Sequence, residues 1–359
     1  MTMGNHMSSR TRLEAVFNGA TPDRTPILGG WIACTDHICS ITRKTLTEYW
    51  GDPLNTTIEA YKILGADGLV DVYVPKHNSD FRFIDKEDYW HTESPFSIEE
   101  AIEKIDGMPD PERIESEFDF DHEYATFMHD LQKRQSACGD MVYMPAQWDN
   151  IPRLLWSELL GYENLFLILG LYPAKIVRLI ELSAVQAHLR NKVLARAVAD
   201  GFYPHAVLFG EDICNQRGLM ISPEFVEKYY MPNIKYSIQP LIDVNCRPVW
   251  HSDGNVLPIL DMLIDCGFKG FQGFQTECGV ELEYVVKKRT RDGEPLIIFG
   301  PLSVATDLVH LSPSEVRQKV RWAIDICQDS ARLIMFTSNT INPDVPLENI
   351  YAMYQEIHS

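Results

Sequence analysis

The chain has no CxxC pair. Its eight cysteines (Cys34, Cys39, Cys138, Cys214, Cys246, Cys266, Cys278 and Cys327) lie scattered. That spacing speaks against a disulfide scaffold or a paired-cysteine zinc module and leaves reduced, mostly buried thiols as the expectation. Long apolar runs are missing too. The longest, Leu165 to Leu171, is interrupted by Gly170 and stops before Pro173, well short of the ~18 residues that span a bilayer. Basic residues are in deficit, 32 Lys and Arg against 51 Asp and Glu, for a net charge of -19. A surface that wraps nucleic acid needs the opposite balance. There is no GxGxxG or GxxxxGK[ST] loop, no repeat with a period of 20 to 50 residues and no low-complexity tract. The cytoplasm is the expected compartment. Residues 1–7 lack the apolar core of a signal peptide and read as a start-site remnant.

What is present is ordinary for a globular protein: 45% hydrophobic and 23% charged residues over 359 positions, enough for one large α/β barrel or two average domains. Eight short apolar segments read as strands: Ile27–Trp31, Gly68–Val74, Met141–Pro145, Ala206–Gly210, Pro248–Trp250, Gly270–Phe274, Leu296–Phe299 and Leu333–Phe336. Helical spacing fills most of the gaps between them, as in Ser8–Gly19, Thr45–Leu64, Asp119–Ser136, Ile151–Leu169 and Pro173–Ala199. Ser222 followed by Pro223 predicts a helix start. From Lys76 to about Ser116 the chain is polar and acidic, which predicts an excursion after the second strand, a hairpin plus a helix. The alternation predicts a single α/β domain over 8–359, a (β/α)8 TIM barrel with that one insertion.

In such a barrel the C-terminal strand ends converge on one mouth, and here those ends carry the polar residues. At the fifth, an apolar run leads into His251, with Asp253 two residues on and Gly254-Asn255 behind it. His251 is either a metal ligand or general acid, or a hydrogen-bonded strand-end histidine. Asp253 suits either the same site or a cap on the helix that follows. Glu211 and Asp212 end the fourth strand and must point in different directions. Glu211 is weakly favoured as the one that reaches His251. Trp31, Tyr73 and Trp148 are candidate walls for a flat substrate, His37 a candidate in the first loop, and Gln275 and Asn339 candidate hydrogen-bond donors. Cys278 is the nearest candidate thiolate.

Several segments, taken in order, resemble the uroporphyrinogen decarboxylase superfamily. They are Arg12–Gly19 with Pro22–Pro26, Gly210–Ile213, Gly218–Phe225, His251–Asn255, Gly300–Leu302 and Asn342–Ile350. The superfamily holds decarboxylases and corrinoid-dependent methyltransferases on one barrel. True decarboxylases carry an arginine-rich first loop for a polycarboxylate, where this chain reads Gly30–His37 without arginine. Thiol-activating methyltransferases hold zinc with His-x-Cys and a later Cys, and here the pair is His251-x-Asp253 with Asn339 near the last position. The resemblance therefore implies a methyltransferase between a small methylated donor, such as a methoxylated aromatic, and a corrinoid. It implies a metal set of His251, Asp253 and Glu211, with zinc the expected ion. The Asp-x-His-x-x-Gly cobalamin motif is absent, so the cobalamin is expected on a separate corrinoid-binding protein. Two further readings stand: a cofactor-free lyase, and a barrel that binds a tetrapyrrole without turning it over. A homodimer is compatible with all of them.

Overall fold

The computed structural model describes residues 6–75 and 96–359. Eight parallel strands form the centre: β1 (Leu28–Gly29), β2 (Gly68–Leu69), β3 (Val142–Tyr143), β4 (Ala206–Gly210), β5 (Arg247–His251), β6 (Gly270–Gln272), β7 (Ile297–Leu302) and β8 (Arg332–Thr337). Ladders join β1 to β2 to β3, and β4 through β8 in sequence. Backbone contacts complete both seams. Ile27 bridges Met335 in parallel, with the Met335 N–H on Pro26 O at 2.8 Å. The Gln147 N–H reaches Leu208 O at 2.8 Å between the end of β3 and β4. The ring is the expected eight-stranded barrel, wrapped by helices.

The buried strands are continuous apolar runs, because helices cover one face and barrel-filling side chains the other. Ala206–Phe209, Val249 and Trp250, and Ile297–Phe299 are all fully covered. β1 and β2 are short for a local reason. At Gly30 (φ +124°) a side chain would meet Val70 O at 2.5 Å and Asp71 O at 2.6 Å. The two chains cross at a distance only glycine permits.

Four local expectations are corrected. The expected helix Thr45–Leu64 is two, Leu46–Gly51 and Pro53–Leu64, parted at Asp52, whose side chain caps the second. The first loop is not a loop: Thr35–Thr42 is a short, mostly polar helix that buries Thr35, Ile38 and Ile41. The stretch after β3 is divided by Gly161 (φ +73°) into Ser157–Leu160 and Tyr162–Leu171. The insertion ends in two helices, Ile98–Asp106 with a Ser97/Glu100 capping box and Pro111–Glu117, where one was expected. Its predicted hairpin falls at 76–95, outside the described residues. Ser222 does cap the helix from Pro223, accepting the Phe225 N–H. A π turn follows at Val226–Tyr230, just ahead of Pro232, which cannot donate the next helical hydrogen bond. No helix among the described residues is long and apolar enough to cross a membrane.

Candidate active site

The site is assembled where β4, β5 and β8 end. Gly210 of β4 faces His251 of β5, and a Cβ there would sit 2.5 Å from His251 O. Its absence lets the two strands run close enough for the β4 end to project beside the imidazole.

Glu211 and Asp212 then diverge, as strand alternation requires. Glu211 turns toward the loop that follows β3. Its carboxylate accepts the N–H groups of Leu154 at 2.9 Å and Leu155 at 2.7 Å, and the Tyr230 hydroxyl at 2.7 Å. Burial pushes its pKa up against the pull of those donors. The preference for Glu211 over Asp212 is therefore reversed. Asp212 is the residue that meets His251, with Oδ1 at 3.6 Å from Nε2, and it also accepts the Asp253 N–H at 2.8 Å.

Asp253 does not cap the following helix, which begins at Leu257 without a side-chain cap. Its Oδ1 lies 3.9 Å from His251 Nε2, and both of its oxygens accept the Asn339 amide N–H group, at 3.0 and 2.8 Å. Burial pushes the Asp253 pKa up, with His251 and Asn339 pulling it back and the charges of Asp212 and Glu277 adding to the rise. Among the described residues, Asp212, His251 and Asp253 are the one cluster of three metal-ligating side chains, their donor atoms all within 4.8 Å of one another. At 3.6 and 3.9 Å the carboxylates are too far for hydrogen bonds to the ring. They stand close to the ~3.4 Å that separates ligands around a tetrahedral zinc ion. One imidazole and two carboxylates fit such a divalent cation.

The other expected residues sort around this trio. Trp31, Tyr73, Trp148, His251 and Asn339 line one pocket of about 310 Å³. Trp148 and Trp31 present edge-on contacts to the imidazole at 5.6 and 6.1 Å between ring centres. Asp212, Asp253, Gln275 and Cys278 line an adjoining cleft of about 890 Å³. Gln275 acts on the loop, its oxygen accepting the Gly254 N–H at 2.6 Å. Cys278 lies outside the metal-ready cluster, and burial pushes its thiol pKa up, away from the thiolate a metal needs. His37 is not brought to the mouth. Its Nε2 pairs with Val345 O at 2.8 Å, and burial lowers its pKa.

One residue at the second strand end was not singled out as a site residue. Asp71 lines the 310 Å³ pocket with the two tryptophans. It has a left-handed backbone (φ 61°), and the Ala146 N–H and the Trp148 indole nearby temper the rise of its pKa. Burial carries its pKa to about 7. A non-glycine residue at positive φ beside a cleft is a common mark of function. In the sequence, however, Gly68–Val74 reads as unbroken strand.

An aromatic-walled pocket, a half-buried acid and a metal-ready trio at the C-terminal mouth define an enzyme-type (β/α)8 barrel. The family model for uroporphyrinogen decarboxylase (URO-D) matches residues 161–359, more than half of the chain. The protein belongs to that family. Among solved structures it is similar to a methyltransferase from Methanosarcina mazei, with 98% of each chain covered, a TM-score of 0.61 and 15% sequence identity. At that identity the likeness is one of fold. No curated protein matches the chain.

Proposed function

We propose that the protein is a methyltransferase that moves a methyl group from a small donor, a methoxylated aromatic, to a corrinoid carried by a partner protein. The observation that carries this reading is the pairing of a metal-ready His/Asp/Asp trio with an aromatic-walled pocket holding a half-buried acid. The similarity to the Methanosarcina mazei methyltransferase supports it. A corrin ring is far larger than the 310 Å³ pocket. The wider cleft is where the partner would present it, and bound there it would supply the nucleophile that accepts the methyl group. A zinc-like cation held by Asp212, His251 and Asp253 would act as a Lewis acid toward the departing oxygen.

The chain's own residues do the rest. Trp31, Tyr73 and Trp148 hold a flat ring and keep water from it. Asp71, largely protonated below pH 7, is suited to hand its proton to the departing oxygen. Asn339 and the Asp212 carboxylate fix Asp253, so the trio stays in place as charge moves. The test is spectroscopic: the protein mixed with a reduced corrinoid protein and a panel of methoxyarenes. Conversion to the methylated corrinoid is expected, and no conversion with any donor would remove the proposal. Release of carbon dioxide from a porphyrinogen would favour the lyase reading, for which an acid held protonated, such as Asp71, is also suited.

A further inference from the structure

We infer that Gln272 is a positioning residue that sets the tautomer of His251, and that Thr337–Asn339 at the end of β8 anchors both His251 and Asp253. The inference rests on His251 being a site residue and not on the methyl-transfer reaction.

Gln272 is 3% exposed at the end of β6. Its amide nitrogen donates to Thr337 O at 2.7 Å and Ser338 O at 3.0 Å. Both amide hydrogens are thus spent on carbonyls. Turning the amide over would set its oxygen against two carbonyl oxygens, so its orientation is chemically forced. The amide oxygen therefore faces His251 Nδ1, with which it is hydrogen-bonded. An oxygen that only accepts obliges Nδ1 to carry the proton. In the neutral ring the lone pair then lies on Nε2, the nitrogen that faces Asp212 and Asp253. A metal ligand needs that tautomer, and a fixed acceptor behind the ring is how it is commonly imposed. Gly273 fits the same purpose: a Cβ at this residue (φ +110°) would come within 3.2 Å of Nδ1.

The carbonyls that fix Gln272 belong to Thr337 and Ser338, and the next residue, Asn339, holds both oxygens of Asp253. Ser338 is tied in turn to the β7 loop, its hydroxyl accepting the Val304 N–H at 3.1 Å. One three-residue stretch thus sets two members of the trio, one directly and one through the glutamine. A cysteine in place of Asn339 would surrender the Asp253 contact.

Nitrogen NMR of the 15N-histidine-labelled, metal-free protein above pH 8 reads the tautomer without substrate or corrinoid. A failed transfer reaction would therefore leave this result standing. The wild-type ring is expected to show Nδ1 protonated and Nε2 bare. Gln272→Met, of similar length but without the acceptor, should give mixed tautomers and bind Zn²⁺ roughly 10–100-fold more weakly. Gln272→Glu keeps an acceptor for Nδ1 but sets its second oxygen against the Thr337 and Ser338 carbonyls, so it should hold the Nδ1–H form while losing stability, a split that a merely structural role would not produce. A wild-type ring protonated at Nε2, or Zn²⁺ bound equally by wild type and Gln272→Met, would overturn the inference. Should Gln272→Met fail to fold, the wild-type and Gln272→Glu spectra decide.

Discussion

Asp71 shows how one half-buried side chain ties stability to chemistry. Its pKa is raised from 3.8 to about 7, chiefly by burial. Between those values the folded state holds a proton that the unfolded chain has released. The stability this group contributes is fully present below about pH 3.8 and is lost as pH rises through 7. Above that, the folded state carries a partly desolvated carboxylate. Asp71→Asn should therefore flatten the pH dependence, with its Tm rising relative to wild type between pH 5 and pH 8. If Asp71 also supplies the proton to the leaving group, wild-type kcat falls on the alkaline side of pH 7, and the variant loses both that limb and most of its rate. A variant whose rate keeps the same alkaline limb would assign the titration to another group. The second strand end was expected at the mouth, but nothing in the sequence singled out Asp71 there, because an acid inside a β-branched run reads as strand and the backbone turn at φ 61° is not visible in it. His251 was legible, since an apolar strand running into a histidine and then a carboxylate leaves few other sites for either. Its partner among Glu211 and Asp212 was not. Strand phase says that adjacent residues diverge, but not which of two faces the mouth.

At the scale of elements, the loop between β3 and the helix at Ser157 has little periodic structure, and Glu211 is what holds it. Three donors converge on its carboxylate: two successive backbone N–H groups of the loop and the hydroxyl of Tyr230, itself delivered by the π turn. Glu211→Ala would leave the Leu154 and Leu155 N–H groups without an acceptor in a part-buried setting, at a cost of about 2–3 kcal/mol. Glu211→Gln, which keeps one oxygen acceptor, should cost less than half as much. Chemical denaturation measures both, and equal losses would mean that the charge, not the acceptors, holds the loop. The same residue marks a limit of sequence reading. Eight strands and most helices were visible, because buried strands are unbroken apolar runs and long helices repeat every 3.6 residues. Thr35–Thr42 was not, because its apolar face amounts to Ile38 and Ile41 alone, too short a repeat to stand out in a polar stretch. Nor could the chain announce that Leu154 and Leu155, distant in sequence, would claim Glu211.

Across the whole molecule the two ends of the barrel divide the work. The mouth holds exposed and half-exposed carboxylates that neutral donors orient and that stand 3.6 and 3.9 Å from His251 Nε2. The opposite end is locked by complete ion pairs. Arg12 bonds Asp23 and Asp67 at 2.5 Å each, Arg24 takes the other Asp67 oxygen at 2.7 Å, and that oxygen also accepts the Ile27 N–H at 2.9 Å. Arg12 and Asp67 are almost wholly buried, so they fasten the first helix and the entry to β1 against β2. Arg12 holds the Asp23 carboxyl far below the usual carboxylate range. A depressed pKa contributes stability that is present above the unfolded value of 3.8 and is lost as pH falls through the folded one. Asp67→Asn removes the shared partner and leaves a buried guanidinium with only part of its compensation, which typically costs about 3–5 kcal/mol. The expected outcome is a large fall in Tm with Zn²⁺ affinity at Asp212, His251 and Asp253 unchanged at temperatures where the variant stays folded. If Zn²⁺ affinity fell in step with stability, the ends would be coupled through the strands, and the division between a stabilising face and a chemical face would not hold for this barrel.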